Sequence, residues 1–178
     1  QTPGIIGRIG CAARLRVCWP AARRDDPYAD GWLIKVHEAL EAGAKRLRRW
    51  HEQIDRKLTQ HPGMEVTVAD SQRPHRVHLQ FANPYAYRGA QLLSEYDTLV
   101  RGVLTAQHIG LVDNAFAATL IHTGGRTMRA TFAVPLDYRY LGIDRASLSE
   151  GGMKSDRARQ VMGEVPDDVL AGERQAPL

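Results

Sequence analysis

Residues 64–110 constrain the fold more than any other stretch, because two different periodicities follow one another there. Apolar and polar residues alternate over 64–69 and again over 75–81, which predicts two strands that each bury one face. The polar run that ends at Pro74 suits a turn between them. The side chains expected to face the core are Val66, Val68, Val77, Leu79 and Phe81. The side chains expected on the outer face of this antiparallel hairpin are Arg76, His78 and Gln80.

A long helix is predicted directly after the hairpin. Asn83 suits a helix N-cap, and Pro84 suits the first helical position, where a missing N–H has no cost. Over 84–109 the apolar residues recur every three or four positions, and Gly110 is a natural stop.

Two further long helices complete the predicted core. Asp26-Pro27 opens one that runs to about Gln60, and its Leu33, Leu40, Leu47 and Ile54 lie seven residues apart. This spacing fits either a helix packed within its own domain or an intermolecular seam. Asp113 caps the third helix, in which Gly124-Gly125 indicates either a bend or a neighbour packed against bare backbone.

The predicted fold is mainly α within the α+β class. Three long helices, one small antiparallel hairpin between the first and the second, and a short C-terminal helix form a single domain over 1–178. Within it, 1–25 is a basic segment that contains a short helix broken by Pro20, 26–145 is the core and 146–178 is the tail.

Charge and cysteine content narrow the class of protein. The formal net charge is +4, and residues 1–60 hold 12 Lys and Arg against 7 Asp and Glu. A basic balance permits nucleic-acid binding without requiring it. Cys11 and Cys18 lie about 10 Å apart along a helix axis, so we expect two buried, reduced thiols. No apolar run is long enough to span a membrane, and we expect a cytoplasmic protein.

Recognised catalytic and metal-binding motifs are absent from the sequence. His75 and His78 are at odd and even strand positions and would face opposite ways, and no CxxC, HxxxH or HExxH occurs. There is also no GxSxG elbow and no phosphate loop. We therefore expect no enzyme activity, no metal, no cofactor and no small-molecule substrate.

Several longer strings resemble one bacterial family over nearly all of residues 3–178: DDPYADGWLIKVHEAL, LQFANPYAYRGAQLL, VLTAQHIGLVD, HTGGR, YRYLGI and VMGEVPDDVL. The family consists of accessory proteins of integrating conjugative elements, related to AcaB-like transcriptional regulators. The resemblance implies a cytoplasmic protein of a mobile element and, by way of its better-understood relatives, DNA-linked regulation. It also implies that an N-terminal strand is missing before PGIIG.

Two interpretations of the basic residues remain open. An outward-facing hairpin followed by helices suits a dimeric reader of double-stranded DNA, in which strands enter the major groove. The other interpretation is that these residues are the solvated surface of a non-enzymatic protein-interaction component of the conjugation or maintenance machinery. The residues expected to contact DNA are Arg14, Arg16, Arg46, Arg48, Arg49, Arg76, His78 and Gln80.

Overall fold

The computed structural model describes residues 6–60, 66–68 and 80–177, and every regular element within these ranges is a helix. The long helices are α1 (Ile6–Ala22), α2 (Pro27–Leu58), α3 (Pro84–His108) and α4 (Asn114–Ala133). A 3-10 turn follows at Val134–Asp137. The short helices after it are α5 (Arg145–Glu150), α6 (Met153–Met162) and α7 (Asp167–Leu170).

The predicted antiparallel hairpin is wrong, and the α+β class fails with it. Residues 66–68 and 80–83 form no strand, and the remainder of the predicted hairpin, 64–65 and 69–79, lies outside the described residues. Phe81, expected in the core, is 42% exposed. The physical reason is that a period of two only says which side chains are apolar. It does not supply the partner strand that a ladder of hydrogen bonds requires.

The start of α2 confirms the predicted capping. Asp26 Oδ1 accepts hydrogen bonds of 3.0 Å from the N–H groups of Tyr28 and Ala29, which would otherwise lack partners in the first turn. The four residues at seven-residue spacing, Leu33, Leu40, Leu47 and Ile54, are each 5% exposed or less. They are buried within this chain, so the intermolecular seam is ruled out.

Helices α3 and α4 also begin at the predicted caps. Asn83 Oδ1 accepts from the Ala86 N–H at 2.9 Å, and Asp113 Oδ1 accepts from the Phe116 N–H at 2.7 Å. At Gly124, α4 continues without interruption, and a Cβ atom placed there would lie 2.5 Å from Cε2 of Tyr96. Of the two explanations for the glycine pair, close packing of a neighbour against bare backbone is therefore the correct one.

Helix α1 corrects the prediction that Pro20 breaks it. The proline lies in the last turn of a continuous 17-residue helix, where its missing N–H removes one hydrogen bond near an end. Cys11 and Cys18 are free and buried, as predicted. Burial raises the pKa of Cys11 to about 11, and Cys18 Sγ donates to the Ala29 carbonyl at 3.3 Å.

The chain divides into two compact units. The first takes its described residues from Gln1–Ala39, Phe81–Tyr87 and Thr131–Leu178, and the second from Leu40–Gln80 and Arg88–Ala130. The single-domain organisation over 1–178 stays a prediction.

Arg145 holds several segments of the first unit together. Its Nη2 donates to Asp30 Oδ2 at 2.5 Å, its Nη1 pairs with the carboxylate of Asp25, and its Nε donates to the Val169 carbonyl at 3.1 Å. Asp30 Oδ1 in turn accepts from the Ala176 N–H at 2.7 Å. One guanidinium thus links the starts of α2 and α5 to α7, and Asp30 extends the link to the C-terminal residues.

The Arg145–Asp30 ion pair gives the first prediction. The Arg145 side chain is 13% exposed and that of Asp30 is 4% exposed, so Arg145→Ala leaves a buried carboxylate without its counter-charge. We expect the free energy of unfolding, measured by urea titration, to fall by about 3–5 kcal/mol. The control is Arg174→Ala, which breaks the exposed pair with Glu38 and should cost less than about 1 kcal/mol. Equal losses in the two variants would contradict a special role for Arg145.

A pH dependence follows from Asp26. Burial raises the pKa of this carboxyl, although hydrogen bonds from Ala29, Tyr138 and Tyr28 and the charge of Arg145 lower it in part. The folded state therefore holds a proton that the unfolded state has already lost. Stability attributable to Asp26 is present below the ordinary value of 3.8 and is lost as the pH rises through the higher folded pKa. The free energy of unfolding of Asp26→Asn, relative to that of the parent, should thus increase from pH 3 to pH 7.

Asp144 provides a control of opposite sign. Its hydrogen bonds with Ser147 lower the pKa of this exposed carboxyl at the cap of α5. Its contribution is therefore present above pH 3.8 and is lost as the pH falls through the folded pKa. The free energy of unfolding of Asp144→Asn, relative to that of the parent, should therefore decrease as the pH rises. Thermal melts at several pH values measure both differences, and slopes of the same sign would refute this assignment.

Candidate nucleic-acid interface

The segment of α2 that belongs to the second unit separates apolar from basic side chains around its axis. Leu40, Leu47, Ile54 and Leu58 are buried and fall on one side at about 100° per residue. Gly102 of α3 lies close to this side, because a Cβ atom there would be 3.3 Å from Cγ2 of Ile54. The helix is therefore fixed by packing on one side, and its opposite side faces solvent.

The solvent side carries what we call the basic stripe: Lys45, Arg48, Arg49 and Arg56. All four side chains are exposed, and at 100° per residue they fall within an arc of about 100°. The stripe is about 16 Å long, at 1.5 Å of rise per residue. Glu52 lies in the same arc, so the stripe carries four cations and one carboxylate.

Arg46 and Lys57 point away from the stripe, toward α4. Arg46 Nη1 donates to Thr127 Oγ1 at 3.4 Å, and Lys57 Nζ lies 5.8 Å from the centroid of the Phe116 ring. Arg46, which was predicted beside Arg48 and Arg49, therefore lies on a different side of the helix from the stripe.

A cavity of about 160 Å³ adjoins the stripe, between α2 and α3. It is lined by Arg48 and by Glu41, Arg88 and Glu95, together with Leu40, Ala44, Gln91 and Leu92. Arg88 pairs with Glu41, and Glu95 Oε2 is buried without a hydrogen-bond partner. Arg48 thus borders a group of mixed charge, and the two carboxylates of this group lower the positive potential at Arg48.

Arg88 and Glu95 were not predicted from the sequence to lie beside Arg48. A signal was present, since positions 88, 92 and 95 share one side of a helix and Leu92 is buried. That signal does not say which helix this side meets.

The remaining predicted residues do not extend the stripe. Arg14 and Arg16 are both exposed on α1 in the first unit, but two residues of helix place them about 200° apart. Gln80 is exposed in an irregular stretch before α3, and it belongs to no two-stranded ribbon that could enter a groove. Arg76 and His78 lie outside the described residues.

Residues 6–60, 66–68 and 80–177 contain no group of three or more His, Cys, Asp or Glu side chains that could hold a metal ion. Nor does any helix in those ranges have the length and apolar character needed to cross a membrane.

No curated protein and no solved structure matches the chain. A family model described as "Transcriptional regulator AcaB" matches residues 1–178, which confirms the resemblance to AcaB-like regulators. The chain therefore belongs to the AcaB family of transcriptional regulators.

Proposed function

We propose that this transcriptional regulator associates with double-stranded DNA and that the basic stripe of α2 contacts the phosphate backbone. The observation that carries the proposal is the position of four exposed cations on one side of a helix whose other side is buried. Such a helix presents its charges without a large loss of backbone freedom on binding, so most of the ordering cost is confined to the side chains.

The dimensions of the stripe suit a duplex. One DNA strand places a phosphate about every 3.4 Å along the axis, so a stripe about 16 Å long can run beside roughly five phosphates. Arginine and lysine release condensed counterions when they neutralise phosphates, which makes binding tighter at low salt. Three of the four cations are arginines, whose planar guanidinium groups donate two parallel hydrogen bonds to a phosphate.

The stripe accounts for affinity rather than for sequence choice. Phosphate contacts position a protein on DNA, whereas base contacts in the grooves read the sequence. We therefore assign the stripe a positioning role that should be similar on any duplex.

The cellular setting is also part of the proposal. The strings shared with accessory proteins of integrating conjugative elements, such as LQFANPYAYRGAQLL, support a role in the cytoplasm of a bacterium that carries such an element. In this setting the protein regulates transcription and catalyses no reaction, and it acts as a homodimer.

A protein-interaction role in the conjugation or maintenance machinery is the second candidate. It is favoured by an exposed aromatic pair in the first unit, Phe81 and Tyr87, whose ring centroids lie 5.3 Å apart in an edge-to-face arrangement. The two side chains are 42% and 50% exposed. Aromatic residues of this kind are enriched where proteins bind one another.

Removing two charges from the stripe tests the DNA proposal. The double variant Arg48→Ala, Arg49→Ala should bind a labelled 30-base-pair duplex of random sequence more weakly than the parent. The slope of log affinity against log salt should fall by roughly 0.9 for each lost phosphate contact. Fluorescence anisotropy at several salt concentrations measures both quantities.

Two control variants test whether a loss of affinity comes from the missing charges of the stripe, rather than from damage to the fold or from the loss of any exposed cation. Arg48→Lys with Arg49→Lys keeps both charges and should retain most of the affinity, while Arg157→Ala removes an exposed charge from α6 and should change little. If the parent shows no salt-dependent binding, or if the alanine variant binds as the parent does, the protein-interaction candidate replaces the DNA proposal.

A further inference from the structure

A broad concave basin lies in the first unit, and none of its described lining residues belongs to the basic stripe. Its described lining consists of Arg14 from α1, Leu136 and Asp137 from the 3-10 turn, Arg139 and, from α6, Val161. The cavity volume is about 870 Å³, within the range of about 300–1,000 Å³ that small-molecule sites occupy. We call this feature the anion basin.

Packing beneath the basin fixes the backbone from which its side chains project. Arg14 precedes Leu15, which is 2% exposed, so the inner side of α1 is anchored. Helix α1 packs closely on the 3-10 turn, because a Cβ atom at Gly10 would lie 3.0 Å from Cδ2 of Leu136.

Arg139 is anchored in the same way from the other side. It follows Tyr138, which is fully buried and donates its hydroxyl hydrogen to Asp26 Oδ2 at 3.1 Å. Both guanidinium groups therefore extend from fixed positions on different elements toward one cavity.

The charges of the basin are not used by the fold. Among the ion pairs and hydrogen bonds of the described residues, none joins Arg14, Asp137 or Arg139 to another side chain. Two uncommitted guanidinium groups suit a phosphate, which each can hold through two parallel hydrogen bonds. The Asp137 carboxylate only accepts hydrogen bonds, so it suits hydroxyl groups of the ligand.

The remaining lining residues, Leu136 and Val161, are apolar. Val161 is 44% exposed, and Leu136 lies beside it in the lining, so a flat apolar ring could cover surface that now faces water. We propose that the anion basin binds a nucleoside monophosphate. Its phosphate lies between Arg14 and Arg139, its sugar hydroxyls donate to Asp137, and its base lies against Val161 and Leu136.

Asp137 is the reason for preferring a small ligand to duplex DNA in this place. A carboxylate that lines the same cavity as the two arginines repels a continuous row of phosphates, but it can accept from the hydroxyls next to a single one. A small-molecule site could not be predicted from the sequence, because its residues come from three separate segments, and Arg14 lies more than a hundred positions before the other two.

Titration calorimetry with the full chain tests the proposal, using AMP, GMP and inorganic phosphate as probes. At least one nucleotide should bind more tightly than phosphate. Arg14→Ala and Arg139→Ala should each weaken nucleotide binding at least tenfold. Asp137→Ala should have opposite effects on the two kinds of probe, weakening nucleotide and strengthening phosphate, which general damage to the fold would not produce.

Arg16→Ala is the matched control, because it removes an exposed arginine from the opposite side of the same helix and should leave nucleotide binding unchanged. Three results would overturn the proposal. One is the absence of saturable heat with millimolar nucleotide, and another is equal affinity for phosphate and nucleotide. The third is a loss of duplex affinity in the Arg14→Ala, Arg139→Ala double variant as large as that in the Arg48→Ala, Arg49→Ala variant, which would assign the basin to DNA.

Discussion

The contact between the guanidinium of Arg145 and the buried carboxylate of Asp30 is the interaction on which the first unit depends. Helices α5 and α7 have six and four residues, too few to be stable without tertiary contacts. Arg145 lies at the first position of α5 and donates a hydrogen bond to the Val169 carbonyl of α7. A buried carboxylate requires such a partner, and the same requirement draws the Ala176 N–H to Asp30. Arg145 and Asp30 together therefore connect α5, α7 and the C-terminal residues to the start of α2.

Local chemistry explains what the sequence could predict. Helix starts at Asp26-Pro27, Asn83-Pro84 and Asp113 follow from side chains that cap their own backbone within three residues, and all three are found in the structure. The hairpin failed because pairing of strands is not local. Phe81 shows the difference, since its place in an alternating pattern predicted burial, yet it packs edge-on against exposed Tyr87 at the surface. An apolar side chain can bury part of its surface against one neighbour without entering a core.

The candidate sites show the same difference between local patterns, which the sequence reveals, and long-range contacts, which it does not. Helix periodicity alone placed Arg48 and Arg49 opposite the buried stripe of α2, and both are exposed. Periodicity could not show that Arg46 turns to Thr127, because that contact joins residues 81 positions apart. The anion basin could not be predicted from the sequence for the same reason. Its two arginines were visible as charges, but only the packing of α1 on the 3-10 turn brings Arg14 and Arg139 to one cavity.

The carboxylates beside the basic stripe bear on how strongly it can hold DNA. Glu52 lies within the stripe, and Glu41 and Glu95 line the cavity at Arg48. Glu95 Oε2 is buried and accepts no hydrogen bond. Glu52 lies three or four residues from Arg48, Arg49 and Arg56, and Glu41 lies four residues from Lys45, so these carboxylates lower the potential along the whole stripe. Coulomb interactions fall with distance and are screened within about 10 Å at ordinary salt, so these near neighbours have the largest effect. Every cation of the stripe thus lies within about one helical turn of Glu41 or Glu52, so the stripe should bind phosphate more weakly than four cations without these neighbours would.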